Sequence, residues 1–120
     1  MRRPVVIVLA SSVLSACLGV GDSLVALRGK VEDQKGQPYE RCLVSLTLDG
    51  EDQPLDSVRL EGDSLEGGEM EVSFHVPGRW KDCFVAVECD DAERRFVSER
   101  IGRERPIPLD LGRIVLEREG

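Results

Sequence analysis

The sequence predicts an all-β domain, a sandwich of seven strands, behind an N-terminal signal peptide. Three observations predict it. Short stretches in which apolar and polar residues alternate recur along the chain. Turn-forming clusters separate them. Beyond residue 17 no long apolar stripe repeats at helical spacing. Alternation with a period of two sends one row of side chains to a core and the other to water, as in a half-buried strand. Seven such strands joined by turns suggest two packed sheets.

The elements follow in order. Arg2 and Arg3 make a basic start, and Val5 to Ala10 opens an apolar run that reaches Val13 and Leu14. A basic stretch, a short apolar run and small residues before a cut are the parts of a secretory signal peptide. The run falls short of the roughly 20 apolar residues that cross a bilayer. Strands are expected over Leu24–Val31, Cys42–Leu48, Ser57–Glu61, Met70–Val76, Cys83–Cys89, Arg94–Ile101 and Arg113–Arg118. The clearest is the fourth, where Met70, Val72, Phe74 and Val76 alternate with Glu71, Ser73 and His75. Between strands lie Asp33 to Pro38, Asp49-Gly50, Gly67-Gly68, Pro77-Gly78 and Asp90-Asp91, residue types that relax or preset turn geometry. The organisation is a signal peptide over 1–16, a short tether over 17–23 and one domain over 24–120.

Composition sets the outer limits. The chain has 120 residues, 41% hydrophobic and 32% charged, with a formal net charge of −7. One small globular domain is the expectation at that length. Nucleic acid is excluded as a partner, because a polyphosphate calls for a basic surface.

Leu14-Ser15-Ala16-Cys17 resembles the lipobox of bacterial lipoproteins. The resemblance implies that the Cys17 thiol is joined to a diacylglycerol, that the signal is cut before it, and that the new amine is acylated. The partner is then the membrane, through lipid on Cys17. Two or more acyl chains hold a protein stably where one does not. An ordinary cleaved signal and an uncleaved anchor are the alternatives. Leu18 stands where an Asp would favour inner-membrane retention, which implies the outer membrane, facing the periplasm. Cleavage removes two arginines and no acid, moving the net charge from −7 to −9.

Further on, Gly29-Lys30-Val31 with Asp33, Gly36 and Pro38, then Cys42 to Leu46, resembles the opening of carboxypeptidase regulatory-like domains, which belong to the transthyretin-like sandwiches. Phe74-His75-Val76-Pro77-Gly78-Arg79-Trp80 is similar to their Phe-x-x-Pro-Gly-x-Tyr corner, and Asp110 to Leu116 to their closing strand. The resemblance covers about Leu27 to Arg118, with its poorest stretch from Asp49 to Glu71. It implies a Greek-key sandwich and a non-enzymatic module.

Three cysteines remain beyond Cys17. Cys83 and Cys89 are six residues apart on one expected strand, about 20 Å in extended chain, too far for a disulfide. An internal bridge therefore uses Cys42, with either Cys83 or Cys89. In the transthyretin-like arrangement the second strand runs antiparallel to the strand after the Pro-Gly corner, which implies Cys42–Cys89. Cys83 is then a small buried hydrophobe or an intermolecular bridge. The spacing is not that of a zinc site.

Little else carries chemistry. His75 is the sole histidine, placed outward with Glu71 and Ser73. No Gly-x-Ser-x-Gly elbow accompanies it, so a triad is not expected. The Tyr-Arg-Gly-Ser ending of the hydroxyisourate hydrolases, enzymes of the transthyretin-like fold, is absent. Trp80 is either a core plug or a sugar-stacking platform. Asp49 to Glu71 holds nine acids and one base, for −8, whereas Arg94 to Arg105 holds five arginines and two glutamates, for +3. The acidic stretch reads as a solvated edge, a surface for a cationic partner or, without the Asp-x-Asp-x-Asp-Gly ladder, a poor calcium site. The arginines either meet anionic headgroups or pair with the acids.

The expectation is a non-catalytic envelope lipoprotein, a binding or scaffold module for another envelope protein, with no cofactor. The alternatives are a secretion-apparatus accessory lipoprotein and a carbohydrate-binding module.

Overall fold

The strand β1 (Ser23–Glu32) carries the smaller of two sheets. In the computed structural model, which describes residues 23–78, 80–103 and 108–119, it lies between two partners. The signal peptide, the lipobox with Cys17, the tether before Ser23, Arg79 and Arg105 lie outside the described residues. β1 pairs antiparallel with β4 (Glu69–Val76) in an unbroken register from Ser23↔Val76 to Lys30↔Glu69. On its other side it pairs parallel with the last strand, β8 (Leu109–Val115).

The larger sheet is built on β2 (Arg41–Leu48), which pairs antiparallel with β3 (Asp56–Glu61) and with β5 (Asp82–Cys89). Two short strands, β6 (Phe96–Val97) and β7 (Ile101–Gly102), complete the far edge of β5. The order is β4-β1-β8 in one sheet and β3-β2-β5-β6 in the other, with β7 also on β5. The protein is thus an all-β sandwich of two sheets.

Alternation places the core. Burial along β4 switches at every residue, with Met70, Val72, Phe74 and Val76 inward. Val25, Leu27 and Val31 of β1 meet Cys42, Val44 and Leu46 of β2 and Cys83, Val85 and Val87 of β5 in one cluster. Each such side chain taken out of water stabilises by about 1.5–3 kcal/mol. Trp80 follows the Pro77–Gly78 corner and sinks into this cluster, 9% exposed.

Two elements depart from the sequence expectation. The single strand expected over Arg94–Ile101 is the pair β6 and β7, so the described residues hold eight strand segments where seven were predicted. Ala86 faces Val97 but Cys83 faces Ile101, a slip of one residue along β5. At the slip the Ser98 hydroxyl accepts the Val85 N–H at 2.9 Å, standing in for a backbone carbonyl. The final strand begins at Leu109, not Arg113, and ends at Val115. Gly112 lies inside it with φ +69, at a shift in the register with β1, and Asp110 Oδ1 holds its N–H at 2.8 Å. A glycine within a strand marks such a bulge.

The chain passes from the larger sheet to the smaller through a 3₁₀ segment, Gly62–Gly68, whose Leu65 is buried. Ser64 Oγ accepts the Glu61 N–H at 2.9 Å and starts it. Gly68 ends it with φ +82, where a Cβ would stand 2.5 Å from the Val31 carbonyl oxygen. Only glycine fits that position. Gly67 is also left-handed, at φ +64, but a Cβ there meets nothing within 4 Å. Gly68→Ala should therefore lower unfolding free energy by about 2–4 kcal/mol, and Gly67→Ala by about 1 kcal/mol. Urea unfolding of the two variants checks this, and equal losses would contradict it.

Candidate functional site

Where β1 ends, two acids in succession are buried: Glu32 at 5% and Asp33 at 4% exposure. A buried carboxylate is costly unless charge and hydrogen bonds meet it. Asp33 meets both. Its Oδ1 accepts the N–H groups of Lys35 at 2.8 Å and Gln37 at 2.9 Å, closing the turn that follows. Its Oδ2 accepts Arg118 Nε at 2.9 Å. The hydrogen bond from Arg118, then that from the Gln37 N–H, holds the Asp33 carboxyl below its ordinary value. The same bond holds the Arg118 guanidinium above its own. Glu32 meets Arg113 directly and Lys30 at 3.9 Å.

Arg118 is fixed from several directions. Its guanidinium lies 4.4 Å from the centre of the Tyr39 ring, within cation–π range. The Arg118 backbone N–H donates to Gln34 Oε1 at 3.0 Å, and the Asp91 carboxylate lies 4.0 Å from the guanidinium. Tyr39 is itself buried, and its hydroxyl donates to the Leu116 carbonyl at 3.0 Å. Burial pushes the Tyr39 phenol up, while Arg118 opposes the shift. The segment after β8 is thereby strapped across the end of the sandwich. Leu116 N–H bonds to Glu32, Glu93 N–H to Glu117, and Glu119 N–H to Asp91, whose φ of +70 is a conformation Asp tolerates.

Above this strap lies an open cleft of about 590 Å³, lined by Gln37, Pro38, Glu40, Arg41, Asp90, Asp91 and Arg118. The cations in it are matched: Arg41 reaches Asp90 at 3.9 Å and Arg118 reaches Asp33. The lining holds no thiol, hydroxyl or imidazole. Its polar groups are carboxylates, guanidinium groups and one amide. Among the described residues no group of three or more His, Cys, Asp or Glu could hold a metal ion.

The structure brings Cys42 and Cys89 together beneath this cleft as a disulfide, at directly opposed positions of β2 and β5. Their neighbours Arg41 and Asp90 form the ion pair in the cleft wall. Cys83 lies toward the other end of β5, fully buried opposite Leu48 and Ile101, and burial then the Asp82 charge push its thiol up to about 11. His75 sits on the outer face of β4 with Glu71 and Ser73, away from Cys83 and the cleft. Trp80 is in the core and offers no exposed stacking face.

All nine acids between Asp49 and Glu71 are exposed, on the β2–β3 loop, edge strand β3, the 3₁₀ segment and the start of β4. Arg94, Arg95 and Arg100 lie toward the opposite edge, around β6 and β7. Arg100 approaches Asp82 at 3.9 Å, and Arg103 donates to the Gly78 carbonyl.

Sequence reasoning did not find the Asp33–Arg118–Tyr39 set. Asp33, Gly36 and Pro38 announced a turn. Nothing local announces an arginine 85 residues away. No family model matches the chain, and no curated protein or solved structure matches it.

Two titrations check the site. Asp33 has a folded pKa below its unfolded one, so its contribution is present above about pH 4 and is lost as pH falls through the folded value. Arg118→Ala leaves a buried carboxylate without its cation. The variant should melt several degrees lower at pH 7, and the deficit should narrow toward pH 4 as Asp33 takes up a proton. A deficit constant with pH would contradict the pairing. Cys83 has the opposite sign. The unfolded thiol ionises near 9 and the folded one near 11, so stability should fall by about 2–3 kcal/mol between those values. Cys83→Ala should remove that alkaline limb, as read by urea unfolding at pH 8 and 10.5.

Proposed function

We propose that the protein is a non-catalytic envelope lipoprotein, a β-sandwich module held at the membrane by lipid on Cys17 that binds or scaffolds another envelope protein. The observation that carries this reading is the run from Arg2 through the apolar stretch to Leu14-Ser15-Ala16-Cys17. The Cys42–Cys89 disulfide supports it, since such bridges persist in oxidising compartments outside the cytosol.

The finer fold belongs to the same proposal. Counted as one interrupted strand, β6 and β7 bring the sandwich to seven strands. The transthyretin-like, Greek-key reading rests on the motifs at Gly29 to Leu46, Phe74 to Trp80 and Asp110 to Leu116, and the pairing of β2 with the strand after the Pro77–Gly78 corner is consistent with it. Leu18 after the lipidated cysteine favours the outer membrane, facing the periplasm.

Intact mass of the protein purified from its own membranes tests the anchor. The expected species begins at Cys17, carries acyl chains and has one alkylatable thiol after unfolding without reductant. Cys17→Ala should abolish the acyl mass and the membrane association. A chain that begins at Met1, or a Cys17 without lipid, refutes the reading.

A further inference from the structure

Four strand edges terminate the two sheets, and three of them are blunted. β6 and β7 are two residues each, with the register slip between them. β8 is broken by the bulge at Gly112. β3 is short and sets Asp56, Arg59 and Glu61 in solvent. Proteins shorten, bend or charge their edges in these ways to prevent stray pairing.

β4 is different. It runs for eight residues without proline, bulge or break in register. Among the described residues no strand pairs with its side away from β1. Apart from the Glu69 N–H, which the Glu66 carbonyl takes, the N–H and C=O groups of β4 that point away from β1 form the kind of edge to which an extended segment adds.

The charges on the outer face of this sheet specify what could be added. Asp110 of β8 faces Arg28 of β1, with their side chains 3.5 Å apart. Arg28 in turn faces Glu71 of β4. The row reads acid, base, acid, and its next member would be a base. Glu69, one pleat along, faces Lys30 and adds a second acid to the edge. Opposite charges directly across a strand pair stabilise it and like charges oppose it. A second copy of β4 offers no lysine or arginine to set opposite these glutamates, and it would bring together two chains that each carry −7.

We propose that the outer edge of β4 is a docking edge for an extended segment of a partner protein, with cationic side chains opposite Glu69 and Glu71 and apolar ones at alternate positions. The segment becomes the fourth strand of the small sheet. Its cations continue the charge alternation on the outer face, and its apolar side chains extend the layer of Val72 and Phe74. The inference rests on the reading of the domain as a binding module, and not on its anchorage.

The test uses the full-length chain and three capped peptides of the length of β4. One alternates lysine with valine, one alternates glutamate with valine, and one is the lysine peptide N-methylated on alternate amides. Binding is read by isothermal titration, and the bonding edge by amide hydrogen exchange. The lysine peptide should bind and slow exchange of the outward β4 amides. The N-methylated and glutamate peptides should bind at least about tenfold more weakly. Glu71→Lys, an exposed substitution, should weaken the lysine peptide by about tenfold and leave the fold intact. Equal binding of the N-methylated peptide would mean charge attraction alone and would overturn the proposal. So would the absence of β4 protection, or protection already present in a dimer without peptide. Lipidation does not enter this experiment, so failure of the anchor leaves its result standing, and a failed titration leaves the anchor standing.

Discussion

The burial of Asp33 is the constraint on which the closed end of the sandwich depends. A carboxylate 4% exposed must be met by donors, and the chain supplies them from two distances. Lys35 and Gln37 are local and shape the turn. Arg118 is remote, and reaching Asp33 carries the segment after β8 across the end of the sheets. That segment brings its own backbone bonds to Glu32 and to the β5–β6 connection. Tyr39, beneath the guanidinium, bonds the Leu116 carbonyl and so fixes the same segment from inside. The charge pair is thus less an added attraction than the condition under which turn, strap and cleft wall can coexist. Removing either partner alone leaves the other unsatisfied, which costs more than the pair contributes.

Two covalent facts support this closure. The Cys42–Cys89 bridge closes a loop of 47 residues, which in chain-entropy terms disfavours the unfolded chain by about 4 kcal/mol. It also ties the ends of β2 and β5 directly below Arg41 and Asp90, so the cleft wall cannot spread. At Gly68 the missing side chain lets the 3₁₀ segment lie against the Val31 carbonyl, one strand residue before the buried acids. Disulfide, glycine and ion pair converge on one end of a small domain, where the two sheets would otherwise part.

The strands with strict alternation were legible in the sequence. Met70 to Val76 and Cys83 to Cys89 form strands whose inward rows are those the pattern names. Features that depend on a partner were not. Arg94–Ile101 reads as one strand until β5 imposes a slip and Ser98 takes over an acceptor role. The alternating pattern marks the last strand only from Arg113, whereas Leu109 and Asp110 already pair with β1 and Gly112 bends a strand that continues. The cysteine pattern alone left Cys42 with two partners, and strand order decides between them. Asp33 and Arg118 give no local sign of each other, because a long-range ion pair leaves no periodicity. Burial of the acid is what reveals it.

The distribution of order over the molecule also bears on how such a domain binds. One end is locked by a disulfide and a matched set of charges, so a ligand there would have to displace bonds already made. Both edges of the larger sheet are charged or broken, and β8 is bent. β4 alone among the edges is long and unbroken. β1 holds it in continuous register, and the core row from Met70 to Val76 fixes its pleat. A strand added there would meet donors and acceptors that need no rearrangement, and preorganisation of that kind reduces the entropy lost on binding. The fold therefore concentrates its stability at the end where the sheets are tied and leaves β4 as an unbroken edge, where, on the proposal above, side-chain charge would select an added strand and the backbone would hold it.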